Sequence, residues 1–232
     1  MGGGERAQPA GRARSAQRPR KVTPPQAAKI LAQRDRVLDR LTAEFGPPQF
    51  PGPSGSPFAA MVRSIAYQQL AGAAASAIHG RLIAAMDGEA TPERLLALSD
   101  QALRAAGLSA RKAVSLRELS SAVLDGTVIL EPRRLARLPD TEIVAQLSRI
   151  TGIGKWSAEI FLMFQLRRLD VWPTGDLGVR KGFAAAWEIP VPTPRQLDEL
   201  GEPYHPYRTI VAWYCWRAAQ RYARSAASAV TA

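Results

Sequence analysis

Cysteine and histidine are scarce in this sequence of 232 residues, which contains one cysteine, Cys215, and two histidines, His79 and His205. One cysteine cannot form an internal disulfide, and it cannot supply the four thiolates of an iron–sulfur cluster. With only two histidines, a transition-metal site is not expected either. No stretch reaches the roughly 20 apolar residues that span a bilayer, and the N-terminus has no signal-peptide core. We therefore expect a cytoplasmic protein that does not bind membranes.

The alternation of apolar and polar residues that marks β-strands is also missing, since "TVIL" at 127–130 is too short to build a sheet. Helix-capping residues are frequent instead, and several stand before proline or an acidic residue. These predicted caps are Thr23-Pro24, Ser56-Pro57, Thr91-Pro92, Ser99-Asp100, Ser109 and Asp140-Thr141. Apolar residues from Ile30 to Phe45 continue the first helical run, which Gly46 ends. The sequence predicts an all-α protein of roughly ten short helices.

Acidic residues are outnumbered, with 20 Asp and Glu against 31 Lys and Arg, and the net charge is +11. A surplus of this size is typical of proteins that bind a polyanion, nucleic acid above all, although a solvated basic surface remains an alternative. Residues 1–22 are rich in Gly, Pro and Arg and have almost no large apolar side chains. We expect them to form a disordered basic tail.

The segment "SRITGIGKWSAEIFLMF" predicts a helix end, a glycine turn and a second helix that begins near Lys155. Two glycines let the backbone come close to a ligand, and the first amides of the second helix point outward without partners. Such amides, with a lysine beside them, suit a phosphate oxygen. This pattern is typical of a helix–hairpin–helix DNA-binding element, although many plain helix–helix turns also use glycine. The residues predicted to bind phosphate are Thr151, Gly152, Ile153, Gly154 and Lys155.

Two carboxylates follow in "DVWPTGDLGVRKGF". Asp170 is interpreted as a loop or capping residue. Asp176 precedes a predicted helix from Leu177 to Trp187, and as its N-cap it would accept backbone N–H bonds. The same fixed carboxylate suits the stabilisation of a cation that develops on a deoxyribose. No second acid–base carboxylate or histidine is evident beside it, so the reaction should need only one, as when an N-glycosidic bond to a good leaving base breaks.

At this point the run "ITGIGKWSAEIFLMFQLRRLDVWPTGDLGVRKG" resembles the helix–hairpin–helix DNA glycosylases, and specifically the 3-methyladenine DNA glycosylase II family. Three further stretches are similar to that family and occur in its order: "SPFAAMVRSIAYQQLAGAAASAIHGRL", "LRAAGLSARKAVSLRELS" and "PYRTIVAWYCWR". The resemblance covers about residues 30 to 224. It implies two helical lobes with a cleft between them, without the iron–sulfur cluster or the N-terminal β domain of some relatives. The middle lobe with the hairpin would be 57–168, and the second lobe 23–56 plus 169–229.

The resemblance also implies roles for residues. Asp176 would be the catalytic carboxylate, and Trp156 would face the pocket, where an indole attracts a cationic alkylated base; packing of Trp156 in the core is the alternative. Lyase relatives carry a Schiff-base lysine at the position that Trp156 occupies here. Lys155 comes one residue earlier, and since a helix turns about 100° per residue, it should face DNA instead. This predicts a monofunctional glycosylase.

The other implied site residues form three sets. The wedge that fills the gap left by a flipped base would be Gln69, with Leu70 and Gln68 as alternatives. Near the pocket stand Tyr67 and Tyr207, each of which could equally be core, and Ile160, which replaces an aromatic ring and should widen the pocket. A monovalent cation could be bound at the hairpin by the main-chain carbonyls of Ser148, Ile150 and Ile153.

The sequence is thus interpreted as a monomeric base excision repair enzyme that requires no cofactor and acts on double-stranded DNA containing alkylated bases. The expected substrates are 3-methyladenine and 7-methylguanine, with N1-methyladenine and N3-methylcytosine if the pocket is wide. In a bacterium it would be nucleoid-associated. The alternatives are a non-catalytic helix–hairpin–helix DNA-binding protein and a glycosylase for oxidised guanine or mismatches.

Overall fold

The computed structural model describes residues 22–53 and 55–230, the last nine of them as backbone only. In these ranges the chain forms thirteen α-helices and one 3-10 helix (Glu202–Tyr204), and it forms no strand. The helices are α1 (Pro24–Ala32), α2 (Arg36–Phe45), α3 (Pro57–Tyr67), α4 (Gly72–Ala85), α5 (Pro92–Ala97), α6 (Asp100–Ala105), α7 (Ala110–Leu124), α8 (Pro132–Leu135), α9 (Asp140–Leu147), α10 (Lys155–Phe164), α11 (Leu177–Trp187), α12 (Pro194–Gly201) and α13 (Arg208–Val230). The all-α prediction is confirmed, but α13 has 23 residues and is not short. No helix in the described ranges has the length and apolar character to cross a bilayer.

Five of the six predicted caps are confirmed. The hydroxyls of Thr23, Ser56, Thr91, Ser99 and Ser109 each accept a backbone N–H in the first turn of α1, α3, α5, α6 and α7. The prediction for Asp140 is wrong, because Pro139 holds the N-cap position of α9 without a side-chain bond. Asp140 is the first helical residue, and its carboxylate lies 3.2 Å from the Arg168 guanidinium.

The first helical run is divided at Asp35, which the sequence interpretation overlooked. Its Oδ1 accepts from the amides of Val37 and Leu38 at 2.7 and 3.3 Å and so begins α2. Its Oδ2 accepts from Trp187 Nε1 at 3.2 Å and from the Tyr204 hydroxyl at 2.7 Å. Burial, together with Asp35, raises the pKa of Tyr204. Asp35 therefore ties the N-terminal helices to the end of α11.

The helices pack in two groups. In one, α11 lies against α13, and α13 lies against α1 and α2; in the other, α3 packs on α4, α7 and α10, α7 on α5 and α6, and α9 on α10. A Cβ on Gly182 would lie 1.8 Å from the Cys215 carbonyl oxygen, which shows how closely α11 and α13 approach. The groups divide the helices as the predicted lobes do, while the boundaries at 57 and 168 stay a prediction. Apart from Val22, the predicted tail lies outside the described residues.

Candidate active site

Asp176 lies where the two groups of helices meet, and both of its carboxylate oxygens accept hydrogen bonds. As predicted, it is the N-cap of α11, with Oδ1 2.8 Å from the amide of Val179. The same oxygen accepts from Trp216 Nε1 at 3.1 Å, and Oδ2 accepts from Trp156 Nε1 at 2.6 Å. These three donors come from α11, α13 and α10 and fix the plane of a carboxylate that is only half-buried.

The contact from Trp216 was missed by the sequence interpretation. Trp216 is 40 residues from Asp176 and stacks on Phe164, with ring centroids 6.0 Å apart. Gly178 leaves room for it, since a Cβ there would lie 3.0 Å from Asp176 Oδ1 and 3.1 Å from Trp216 Cδ1. The available sequence signal was the family-like segment "PYRTIVAWYCWR", which does not reveal which of its aromatic rings reaches the carboxylate.

Trp156 connects Asp176 to a cavity of about 520 Å³. The ring is half exposed, at 49%, and is not packed into the core. The cavity is lined by Tyr67, Gln69, Lys112, Gly152, Trp156 and Ile160, among others. A second cavity of about 550 Å³ shares Ser64, Tyr67 and Ile160 with it and continues toward Arg63 and Phe164. Asp176 lines neither cavity, so the indole of Trp156 is its link to this space.

The two predicted tyrosines lie in different places. Tyr67 lines both cavities, and the Arg63 guanidinium stands 4.3 Å from its ring centroid. The rings of His79 and Tyr67 meet in a T-shaped arrangement with centroids 6.1 Å apart, and burial together with Arg63 lowers the pKa of this histidine. Tyr207 lines neither cavity; it packs partly buried against the core just before α13. The structure therefore brings Tyr67 and Ile160 to Trp156 but does not bring Tyr207 there.

The hairpin offers three amides for a ligand. Gly152 has a φ of 81°, and none of the described residues accepts from the N–H of Gly152, Gly154 or Lys155. The other two predicted phosphate-binding residues are engaged differently. The Thr151 amide and hydroxyl both donate to the Glu118 carboxylate, at 2.7 and 3.1 Å, and the Ile153 amide donates to the Ile150 carbonyl at 3.0 Å.

A second carboxylate, that of Glu159, is electrostatically coupled to Asp176, which the sequence interpretation did not anticipate. Glu159 is buried on α10, with 6% of its surface exposed, and its Oε1 lies 3.6 Å from Nζ of Lys155. Burial raises the pKa of Glu159, Lys155 opposes that shift, and the charge of Asp176 adds to it. The sequence shows only "KWSAEIF", in which nothing distinguishes this glutamate from an exposed one.

The wedge candidates form the turn between α3 and α4, called here the wedge loop (residues 68–70). Gln69 stands at its tip in the left-handed region, with a φ of 57°, and Leu70 is 40% exposed. Gln68 turns away from that tip, since its Nε2 donates to the Gly152 carbonyl oxygen at 3.0 Å. Its side chain joins the wedge loop to the hairpin, so the wedge role, which stays a prediction, is left to Gln69 or Leu70.

The cation predicted at the hairpin stays a prediction. The Ile150 carbonyl already accepts the Ile153 amide, so it would have only its second lone pair for an ion. Across the described part of the chain, no cluster of His, Cys, Asp or Glu could hold a metal.

A helical fold, a glycine hairpin with unpaired amides and an N-capping aspartate at the edge of a cleft together define a helix–hairpin–helix protein of the DNA glycosylase type. The profile described as "HhH-GPD superfamily base excision DNA repair protein" matches residues 62–206, which include the wedge loop, the hairpin and Asp176. The chain belongs to this superfamily of base excision DNA repair proteins.

Relatives and solved structures agree with this membership. The chain is 35% identical over 164 residues to DNA-3-methyladenine glycosylase 1 of Schizosaccharomyces pombe, covering 69% of this chain and 72% of that protein. The structure resembles a crystal structure of DNA-3-methyladenine glycosidase from Bacillus halodurans, with a TM-score of 0.77, 36% identity and coverage of 85% of this chain and 91% of the other. It also resembles the S. pombe 3-methyladenine DNA glycosylase in complex with abasic DNA, with a TM-score of 0.72, 33% identity and coverage of 83% and 95%.

Proposed function

We propose that this protein is a monofunctional DNA glycosylase of the 3-methyladenine type II class. It flips alkylated bases such as 3-methyladenine and 7-methylguanine out of duplex DNA and hydrolyses the N-glycosidic bond, leaving an abasic site. The observation that carries the proposal is the Asp176 carboxylate, which three donors hold at the edge of a cleft bordered by an exposed indole. The names of the relatives, which are 3-methyladenine glycosylases, support the choice of substrate.

The geometry suits a reaction in which positive charge moves from the base to the sugar. An N3- or N7-alkylated purine is cationic and departs without a strong general acid. The deoxyribose left behind becomes an oxocarbenium ion, which the fixed negative charge of Asp176 would stabilise, because a preorganised charge needs no reorganisation during the reaction. The donors from Trp156 and Trp216 are neutral, so they orient the carboxylate without cancelling its charge.

Trp156 would contribute to base recognition. A cationic base stacked on an indole gains about 0.5–2 kcal/mol, depending on how far water is excluded. The ring is half exposed and borders a cavity of about 520 Å³. Because Ile160 lines the same space without filling it as a large ring would, bases with different alkyl positions should enter.

The absence of lyase activity is proposed from the engagement of the two lysines near the site. Lys155 has an exposed side chain paired with Glu159. Lys112 borders the cavity, but its ammonium donates to the carbonyls of Ala66 and Gln68 at 2.9 and 2.8 Å. Burial lowers the pKa of Lys112, but its two carbonyl partners hold Nζ in place. Neither lysine is therefore free to attack the sugar, and the product should be an intact abasic strand.

The test is release of 3-methyladenine and 7-methylguanine from alkylated duplex DNA by the wild type and by Asp176→Asn. We expect release by the wild type, a loss of about 10²–10³-fold or more in the variant and DNA binding by both. The DNA strand should break only after alkali, and borohydride should trap no protein–DNA adduct. Tight binding by the wild type without any release would contradict the proposal and favour a non-catalytic binding protein. A borohydride-trapped adduct would contradict its monofunctional part alone.

A further inference from the structure

Three side chains of α7 reach the two loops that face DNA. Lys112, Ser115 and Glu118 are spaced three residues apart, so they follow one another along one side of the helix. Lys112 contacts the wedge loop, and Ser115 and Glu118 contact the hairpin. None of the three was given a role by the sequence motifs.

Lys112 fixes the beginning of the wedge loop. Its Nζ lies 2.9 Å from the Ala66 carbonyl oxygen and 2.8 Å from that of Gln68, where α3 ends. Carbonyls at a helix C-terminus have no partners within the helix and carry its partial negative charge, so a cation is well suited to bind them. The next residue is Gln69 with its positive φ, and Lys112 therefore holds the backbone from which the tip of the loop projects.

Glu118 and Ser115 fix the hairpin. The Glu118 carboxylate accepts both the amide and the hydroxyl of Thr151, at 2.7 and 3.1 Å. A Cβ on Gly152 would lie 2.7 Å from Ser115 Oγ, so the hairpin backbone rests directly on α7. The bond from Gln68 to the Gly152 carbonyl then joins the two loops to each other.

We propose that α7 positions the wedge loop relative to the hairpin, with Lys112 and Glu118 as the positioning residues for base flipping. The inference rests on the proposed function. Flipping requires that the hairpin hold the backbone while the wedge loop fills the gap in the stack, and unstacking a base costs a few kcal/mol. The loops are 84 residues apart at Gln68 and Gly152, so the chain itself does not fix their separation. Polar contacts from a shared helix supply this constraint.

The experiment measures flipping separately from cleavage. A duplex with an alkylated base and 2-aminopurine as its neighbour gives a fluorescence rise in stopped flow when the target base leaves the stack. Single-turnover base release and DNA affinity are measured on the same duplex. The variants are Lys112→Met and Glu118→Gln, with Lys112→Arg as the conservative rescue. Lys29→Met on α1 and Glu93→Gln on α5 are controls that make the same charge changes at exposed positions elsewhere in the protein.

For Lys112→Met we expect flipping and release to slow by about tenfold to a hundredfold, since a misplacement of about 1 Å can cost that much. DNA affinity should fall no further than in Lys29→Met, and Lys112→Arg should recover most of the rate. Glu118→Gln separates the effect of charge on DNA binding from the effect of hairpin position on flipping. Removal of a negative charge near DNA should tighten binding, whereas a displaced hairpin should slow flipping. We expect both effects in this variant and neither in Glu93→Gln.

A double-mutant cycle with Gln69→Ala tests whether Lys112 acts through the wedge loop. If it does, Lys112→Met should add little once Gln69 is truncated, because coupled residues are not additive. Full additivity, or flipping rates equal to those of the controls, would overturn the proposal. If Lys112→Met does not fold, Glu118→Gln decides the question. If the wild type flips the base but releases none, only the glycosylase function is contradicted. The fluorescence rise would still report how the α7 variants change the rate of flipping.

Discussion

Two aspartates in this protein, Asp35 and Asp176, have almost the same local structure and very different surroundings. Each is half-buried, caps a helix and accepts from two aromatic side chains. The donors to Asp35 belong to the core, since Tyr204 is buried and Trp187 stacks on Phe183 with ring centroids 4.0 Å apart. Asp176 instead accepts from Trp156, which is half exposed and lines a cavity. The comparison teaches that the capping aspartate is a structural device, which becomes a candidate for catalysis where one of its donors borders a cavity, as Trp156 does.

The largest effect is expected when the negative charge of each aspartate is removed in turn. Asp176→Asn should lower base release by about 10²–10³-fold with little change in Tm, because the exposed Trp156 can turn away from the new amide. Asp35→Asn should leave release by the folded protein unchanged but destabilise it by about 1–3 kcal/mol, since a buried donor loses its charged partner. Release assays and thermal unfolding of both variants check this. Equal loss of activity in both would remove the distinction between the two aspartates.

A smaller effect is expected when one indole donor is removed from each aspartate. In Trp216→Phe and Trp187→Phe a phenyl ring replaces the indole, so an aromatic ring can still stack on the neighbouring phenylalanine while the N–H is lost. Trp216→Phe should slow release by about tenfold to a hundredfold, because a hydrogen bond to a charged group contributes about 1.5–3 kcal/mol. Trp187→Phe should lower Tm without affecting the rate. Single-turnover kinetics check the first, and an unchanged rate in Trp216→Phe would show that its bond does not orient Asp176.

The smallest effect is expected on the pH dependence of stability, because each aspartate disfavours the ionisation of a neighbouring group. Asp35 contributes to the raised pKa of Tyr204, and Asp176 to that of Glu159. A carboxyl whose pKa is raised on folding costs no stability while it is protonated in both states. The cost appears as the pH rises past the ordinary pKa of glutamate and is complete above the folded pKa. Glu159→Gln should therefore gain stability relative to the wild type between pH 4 and pH 7.

The expected gain in Tm appears as the pH rises past the ordinary pKa of glutamate and increases with pH until Glu159 is ionised in the folded wild type. Loss of the ion pair with Lys155 should subtract little, because the lysine side chain is 70% exposed. Thermal unfolding across this pH range measures the difference, with the exposed Glu93→Gln as the matched control. A difference that is constant with pH, or one that decreases as pH rises, would contradict the raised pKa of Glu159.

Much of the fold could be predicted because the deciding interactions are local. Thr23, Ser56 and Thr91 cap helices through bonds to residues three positions away, and the sequence shows both partners. The helix that begins after Asp176 was predicted from Leu177 to Trp187 and has those bounds. The prediction failed at Asp35, because a continuous apolar period hid the break in the first helical run.

Sequence alone determined the all-α class, the positions of the hairpin and wedge loop, and the aspartate that begins α11, since each depends on residues within about one helical turn. Only the tertiary structure decided that Trp216 reaches Asp176, that Glu159 is buried and that α7 contacts both the wedge loop and the hairpin. The partners in these contacts are far apart in the chain, as Gln68 and Gly152 are at 84 residues. Their meeting depends on how whole helices pack, because packing sets which side chains share a face of the cleft and which are removed from water.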